Sequence, residues 1–267
     1  MLNPRWKGAV AAVAAACMLS VPAARAATVE VDGVPLDQGE GWGYGGTSYV
    51  TLRALSGFGD YELSWDGRQA TLVGEGVEMT AIPGAYYIEV NGRALYVAEG
   101  VGVADGRTYL PLRIIADATG GILNWDGERA TAGLELDGAE APAADYDEEG
   151  LYWLSRIISA ESRGEELRGQ IAVGNVVLNR VAHQNYPDTI RGVVFDEHYG
   201  VQFEPVSNGT IFDEPAELSL LAAKMVLEGA EIVADCLYFY APALSPGTWI
   251  TQNTQYHTTI GCHKFFR

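Results

Sequence analysis

Short apolar runs alternate with polar positions through residues 29–136, whereas from residue 151 onward apolar residues recur at helical spacing. The first region predicts strands joined at Asp32-Gly33, Asn91-Gly92, Asp66-Gly67 and Asp126-Gly127, strong hairpin signals when flanked by alternating apolar residues. One pattern also occurs twice there. Tyr49 aligns with Tyr109, Arg53 with Arg113, Trp65 with Trp125 and Ala70-Thr71 with Ala130-Thr131, all sixty positions apart, while residues 29–33 align with 88–92 at fifty-nine. Each copy reads as a strand and hairpin turn, a strand entering a short helix near Leu52 or Leu112, then another hairpin. The expected class is therefore α+β, opening with a duplicated small module. Trp65 and Trp125 are read as packing each hairpin onto its helix, because both hold the same place in a structural repeat; the alternative is a pair of sugar platforms.

Residues 137–149, acidic, alanine-rich and without periodicity, read as a solvated linker. Beyond it the pattern predicts a mainly helical domain over residues 150–267. Leu154, Ile157 and Ile158 form an apolar stripe, and Glu161 falls three to four residues later on the same stripe. After a turn at Arg163-Gly164, a second helix is predicted over 166–182 and a third over 215–229, separated by loop-rich sequence at 185–213. A carboxyl group facing a partly dry cleft has its pKa raised by desolvation, which suits a general acid. The plainer reading of Glu161 is a buried glutamate paired with Arg163 or Arg180.

Residues 1–26 carry Arg5 and Lys7, an apolar run from Ala9 to Val21 and the small-residue site Ala24-Arg25-Ala26, the layout of a signal peptide. Cys17, in a lipobox-like setting, leaves a lipid anchor as the alternative. The run is shorter than the roughly 20 apolar residues of a membrane span. Export removes three basic residues and leaves 14 against 35 acidic ones, an imbalance that argues against nucleic acid and anionic membranes as partners. Cys236 and Cys262 remain as a pair in an oxidising compartment, open to a disulfide or to two separate thiols. His183, His198, His257 and His263 lack short metal-ligand spacing, and no metal or other cofactor is expected.

The repeat, with its paired Tyr-Leu-Arg and Trp-Asp-Gly motifs, resembles the copper amine oxidase N-terminal-like, or stalk, domain; no histidine precedes His183, so copper is not implied. From residue 151 the strings AESRGE, GQIAVGNVVLNRV, YPDTIRGVVF, QFEP, LYFYAP and IGCHKFF resemble the cell wall hydrolase family of the spore cortex-lytic enzyme SleB type. The resemblance implies a lysozyme-like domain cutting the glycan strand of peptidoglycan as a lytic transglycosylase, with Glu161 matching the family's catalytic glutamate. Two strings depart from the family, Gly261-Cys262-His263 where Gly-Asn-His is usual and Ala241-Pro242 where Asn-Pro is usual. The stalk-like module also differs from the family's accompanying peptidoglycan-binding domain, so a spore-cortex role is not carried over by default; attachment, spacing or contact with other envelope proteins is expected of it.

Gln202, Phe203 and Glu204 are read as groove residues, each against an ordinary loop or surface role; Tyr238 and Tyr240 alternate as on a strand and face one side. His263 is read either as a groove contact or as a core histidine. Glu165, Glu204 and Asp213 are candidates for the second carboxylate that a hydrolase needs, Glu165 being read as solvent-facing. A serine hydrolase lacks its GxSxG turn. The expectation is an exported peptidoglycan-cleaving enzyme, against a hydrolytic muramidase and against a wall-binding protein that does not cut.

Overall fold

The structure is a computed structural model that describes residues 28–267 apart from residue 75 and residues 199–201. The expected signal peptide and Cys17 lie outside the described residues.

The first copy of the repeat forms β1 (Thr28–Val31), β2 (Val34–Pro35), β3 (Gly41–Tyr44), β4 (Thr47–Thr51), α1 (Leu52–Leu55), β5 (Glu62–Trp65), β6 (Ala70–Gly74) and β7 (Val77–Ala81). The second forms β8 (Tyr87–Val90), β9 (Arg93–Tyr96), β10 (Gly102–Ala104), β11 (Arg107–Pro111), α2 (Leu112–Thr119), β12 (Ile122–Asp126) and β13 (Thr131–Glu135). Asp32 and Gly33 take φ of 48° and 74°, Asn91 and Gly92 49° and 79°. Both central residues of each turn are thus left-handed, as a two-residue type I′ hairpin requires.

The strands make three sheets, ordered β12-β13-β1-β2, β10-β11-β4-β3 and β5-β6-β7-β8-β9. The two copies meet through equivalent strands, since β4 pairs antiparallel with β11 with Val50 opposite Leu110, Thr51 opposite Tyr109 and Tyr49 opposite Pro111. Under the sixty-residue shift that register maps onto itself, so a pseudo-twofold axis passes through Val50 and Leu110. One core serves both copies, with Val31, Leu55, Leu72, Met79, Ile88, Leu110, Ile115 and Leu134 almost fully buried.

The tryptophans differ from expectation. Trp65 and Trp125 are 55% and 63% exposed. Each sits at the turn end of the outermost strand of its sheet, β5 or β12, where no further strand covers it.

The second domain contains α3 (Glu148–Ser162), α4 (Leu167–Ala182), α5 (Ile190–Val194), α6 (Glu204–Asn208), a 3-10 turn (Thr210–Phe212) and α7 (Glu217–Leu227). It ends in β14 (Tyr238–Tyr240), α8 (Thr248–Asn253), β15 (Tyr256–Ile260) and β16 (His263–Phe266), the strands ordered β14-β16-β15. The helices α3, α4 and α7 bury Leu154, Ile157, Ile158, Val173, Val176, Val177 and Val226 between them. They meet at Gly174, where a Cβ would stand 2.8 Å from Ile158 Cδ1 and 2.9 Å from Val226 Cγ2.

Two domains are docked together. Arg93 of β9 makes a bidentate ion pair with Glu228 beyond α7, at 2.6 Å, with side chains only 11% and 14% exposed. Lys224 Nζ donates to Gly92 O at 3.0 Å. The connecting segment takes part, contrary to its expected full solvation: Ala144 N donates to Asn91 O, Ala141 packs on the first core, and the Tyr146 hydroxyl is buried. Burial first, then the neighbouring Glu228 carboxylate, pushes that hydroxyl's pKa up.

Candidate active site

Helix α3 starts where the acidic end of the linker satisfies it. Asp147 accepts a hydrogen bond from Gly150 N at 2.7 Å, and Glu148 and Glu149 occupy the positive end of the helix dipole. Fifteen residues of helix bring Glu161 to the last turn. Burial, then repulsion from the Glu204 carboxylate, pushes the Glu161 pKa up to about 7, against the opposing pull of Arg180. Its position at the negative end of the helix dipole acts in the same direction.

Helix α4 builds the wall beside it. Asn175, Asn179 and Arg180 pin the loop that leads into β14. Asn175 Nδ2 donates to Ala230 O and its Oδ1 accepts from Ile232 N, Asn179 Nδ2 donates to Ala234 O and Cys236 O, and Arg180 Nε donates to Leu237 O. Three rings surround the Arg180 guanidinium, those of Phe203, Tyr186 and Tyr238, at 5.1, 5.2 and 5.8 Å. Arg180 Nη1 is buried with no hydrogen-bond partner among the described residues. Burial first, and then a hydrogen bond with Tyr238, pushes Tyr186 up to about 12, so its phenol stays a neutral donor at ordinary pH.

Beside this assembly lies an open hollow of about 640 Å³ lined by Arg180, Tyr186, Gln202, Tyr238, Phe239 and Trp249, among others. Trp249 is 59% exposed, its ring 5.7 Å from that of Tyr238. A wide opening with aromatic faces and a few polar groups suits a polymer of polar rings better than a small apolar ligand. Arg180 links the two parts, lining the hollow while its charge acts on Glu161.

The residues singled out from sequence divide accordingly. Gln202 and Tyr238 line the hollow, and Glu204 is exposed at the start of α6, close enough for its charge to act on Glu161. Phe203 is 2% exposed and lies under Arg180 as floor, not as surface. Tyr240 stacks on Phe266 at 5.7 Å and packs against Gly247, turned from the hollow that Tyr238 lines. His263 belongs to the core, its ring 5.4 Å from Phe239 and its Nδ1 3.7 Å from Glu165 Oε1, too far for a hydrogen bond. Burial lowers its pKa and keeps it neutral.

Glu165, expected to face solvent, is 12% exposed and accepts from Cys262 N at 3.1 Å, fastening the β15–β16 turn to the start of α4. Of the two readings of the cysteines, the structure has separate thiols: Cys236 is a buried free thiol behind Asn179, and Cys262 an exposed free thiol on that turn. Sequence reasoning missed Tyr186 and Trp249 and weighed Arg180 only as a structural partner.

Residues 164–266 match the family model described as Cell Wall Hydrolase, and residues 31–133 match that of the Copper amine oxidase N-terminal domain. The chain is 32% identical over 120 residues to the spore cortex-lytic enzyme of Bacillus cereus, covering 45% of each chain. With that of Bacillus subtilis strain 168 it shares 30% over 112 residues, 42% of this chain and 35% of the relative. The chain therefore spans about half, or less, of the curated relatives it matches. Among solved structures, the catalytic domain of the germination-specific lytic transglycosylase SleB from Bacillus anthracis aligns with TM-score 0.43 and 29% identity, over 47% of this chain and all of that one. The corresponding Bacillus cereus domain aligns with TM-score 0.42 and 30% identity, over 46% of this chain and 93% of that one.

Proposed function

We propose that this chain, which carries a cell wall hydrolase domain behind a copper amine oxidase N-terminal-like domain, is an exported lytic transglycosylase that cuts the glycan strand of peptidoglycan with Glu161 as its single acid/base. One observation carries the reading: at the end of α3 a largely buried glutamate, its pKa pushed up to about 7, lies within charge reach of Arg180, which lines a wide hollow of aromatic and polar side chains. The curated relatives are named for cortex lysis, which adds support.

In the reaction, protonated Glu161 gives its proton to the glycosidic oxygen between N-acetylmuramic acid and N-acetylglucosamine as the C1–O bond breaks. Positive charge develops at C1. The 6-hydroxyl of the same muramic residue then attacks C1 and passes its proton to the Glu161 carboxylate, giving a 1,6-anhydro end and regenerating the acid. Arg180 stabilises the carboxylate while it is charged. No second acid is required.

A hydrolytic outcome has one observation in its favour, the Glu204 carboxylate acting on Glu161. Mass spectrometry of purified peptidoglycan digested by the wild type and by Glu161→Gln separates the cases. Anhydro-muropeptides from the wild type alone are expected. Reducing ends would transfer the reading to hydrolysis, and binding without release by either protein would leave a wall-binding module.

A further inference from the structure

Two large aromatic side chains of the N-terminal module, Trp65 and Trp125, are 55% and 63% exposed. Single exposed apolar residues are normal on a protein surface. Here, however, Trp65 and Trp125 are related by the pseudo-twofold, both end on edge strands, and both leave more than half their surface in water.

Trp65 closes one side of a hollow of about 140 Å³ that also takes in Leu63, Ser64, Arg53, Arg107 and Thr108. A flat indole face beside hydroxyls and two guanidinium groups offers stacking to the axial C–H face of a sugar and donors to its acyl and carboxylate oxygens. By the sixty-residue shift Arg53 corresponds to the exposed Arg113 and Arg107 to Thr47, so the repeat keeps one arginine and replaces the other. The module holds only six basic residues, all arginines, in an acidic chain, and the lining of this one hollow includes two of them and no acidic side chain.

We propose that Trp65 and Trp125 are the platforms of two repeat-related, non-catalytic binding sites for N-acetylhexosamine glycan strands, with the Trp65 site the stronger because Arg53 and Arg107 meet the carboxylates of strands bearing lactyl and peptide substituents. The proposal rests on the glycan reading of the second domain for its choice of ligand, though not on Glu161. Two weak sites on one rigid module bind a long repeating polymer far more tightly than either does alone. The module thereby holds the enzyme on insoluble wall while the hollow of the second domain works along the strand.

The test uses the mature full-length chain carrying Glu161→Gln, sedimented with protease-treated, nucleic-acid-free sacculi. Adding Trp65→Ala and Trp125→Ala together is expected to raise the apparent Kd at least tenfold, Trp65→Ala alone giving the larger share. Trp65→Tyr with Trp125→Tyr, which keeps an aromatic face, is expected to restore most of the binding. In an otherwise wild-type chain the alanine pair should leave cleavage of short soluble glycan unchanged while slowing release from sacculi. Unchanged retention of the alanine pair overturns the proposal, as does a tyrosine pair as weak as the alanine pair. A loss seen only on walls that still carry protein also overturns it and assigns the face to a protein partner. If the wild type releases no muropeptide yet the tryptophan effect on retention stands, the catalytic reading of Glu161 fails and the platforms survive.

Discussion

Under the proposed function Glu161 carries the chemistry, and its environment makes two predictions with defined signs. Its pKa rises from 4.5 to about 7 on folding, so the acid form persists to neutral pH and kcat/KM should fall as pH rises through 7. Glu161→Gln should lose activity by about 10³-fold or more. The folded state holds this proton more tightly than the unfolded chain, so the group's stability contribution is largest below pH 4.5, declines from 4.5 to 7 and is flat above. Glu161→Gln should therefore match the wild type in urea denaturation at pH 4 and exceed it at pH 8 by at most about 3 kcal/mol. Arg180 acts oppositely, holding the carboxyl down. Arg180→Ala should move the alkaline limb of the pH–rate profile up by about one unit, whereas Arg180→Lys should leave it nearly in place. An unshifted limb in Arg180→Ala would show that the guanidinium does not reach the carboxylate.

Among the elements, the β15–β16 turn depends on a residue with no side chain. Gly261 takes φ of 55°, and a Cβ there would stand 1.7 Å from Glu165 Oε2. Gly261→Ala should cost about 1–3 kcal/mol in thermal or urea unfolding, because the left-handed backbone and the carboxylate contact cannot both persist. Cys262 contributes its backbone N–H to this contact, and the residue itself is exposed. Chain-local signals read well at this scale. Asp32-Gly33 and Asn91-Gly92 located type I′ hairpins, Asp66-Gly67 and Asp126-Gly127 marked hairpins with longer loops, and the Leu154-Ile157-Ile158 stripe located α3. Its start shifted from near residue 150 to Glu148 because Asp147 caps it.

At the scale of the whole molecule, the Arg93–Glu228 pair clamps one domain to the other with both charges largely out of water. Removing one partner of such a pair strands the other, at a cost of roughly 3–5 kcal/mol. Glu228→Ala should loosen the docking, accelerate limited proteolysis within residues 137–147 and leave turnover of short soluble glycan unaltered, since none of these groups lies in the hollow. Unchanged proteolysis would show that the remaining contacts, Lys224 with Gly92 among them, suffice.

The amino-acid sequence by itself determined the features that depend on near neighbours: the sixty-residue repeat, the two-domain division, the hairpin turns, the helical second half and an acid on an apolar stripe. Periodicity and turn chemistry act over a few residues and are written where they act. Tertiary structure alone decided which candidates share a site. Gln202 and Tyr238 reach one hollow because α4 pins the loop before β14, while His263, Phe203 and Tyr240 turn into packed surroundings that no local pattern announces. The exposure of Trp65 and Trp125 depends on which strands end up at sheet edges, and the Arg93–Glu228 clamp joins residues 135 positions apart. Edges, hollows and long-range ion pairs are properties of the assembled chain, set by what is absent from the neighbouring space as much as by what the residue is.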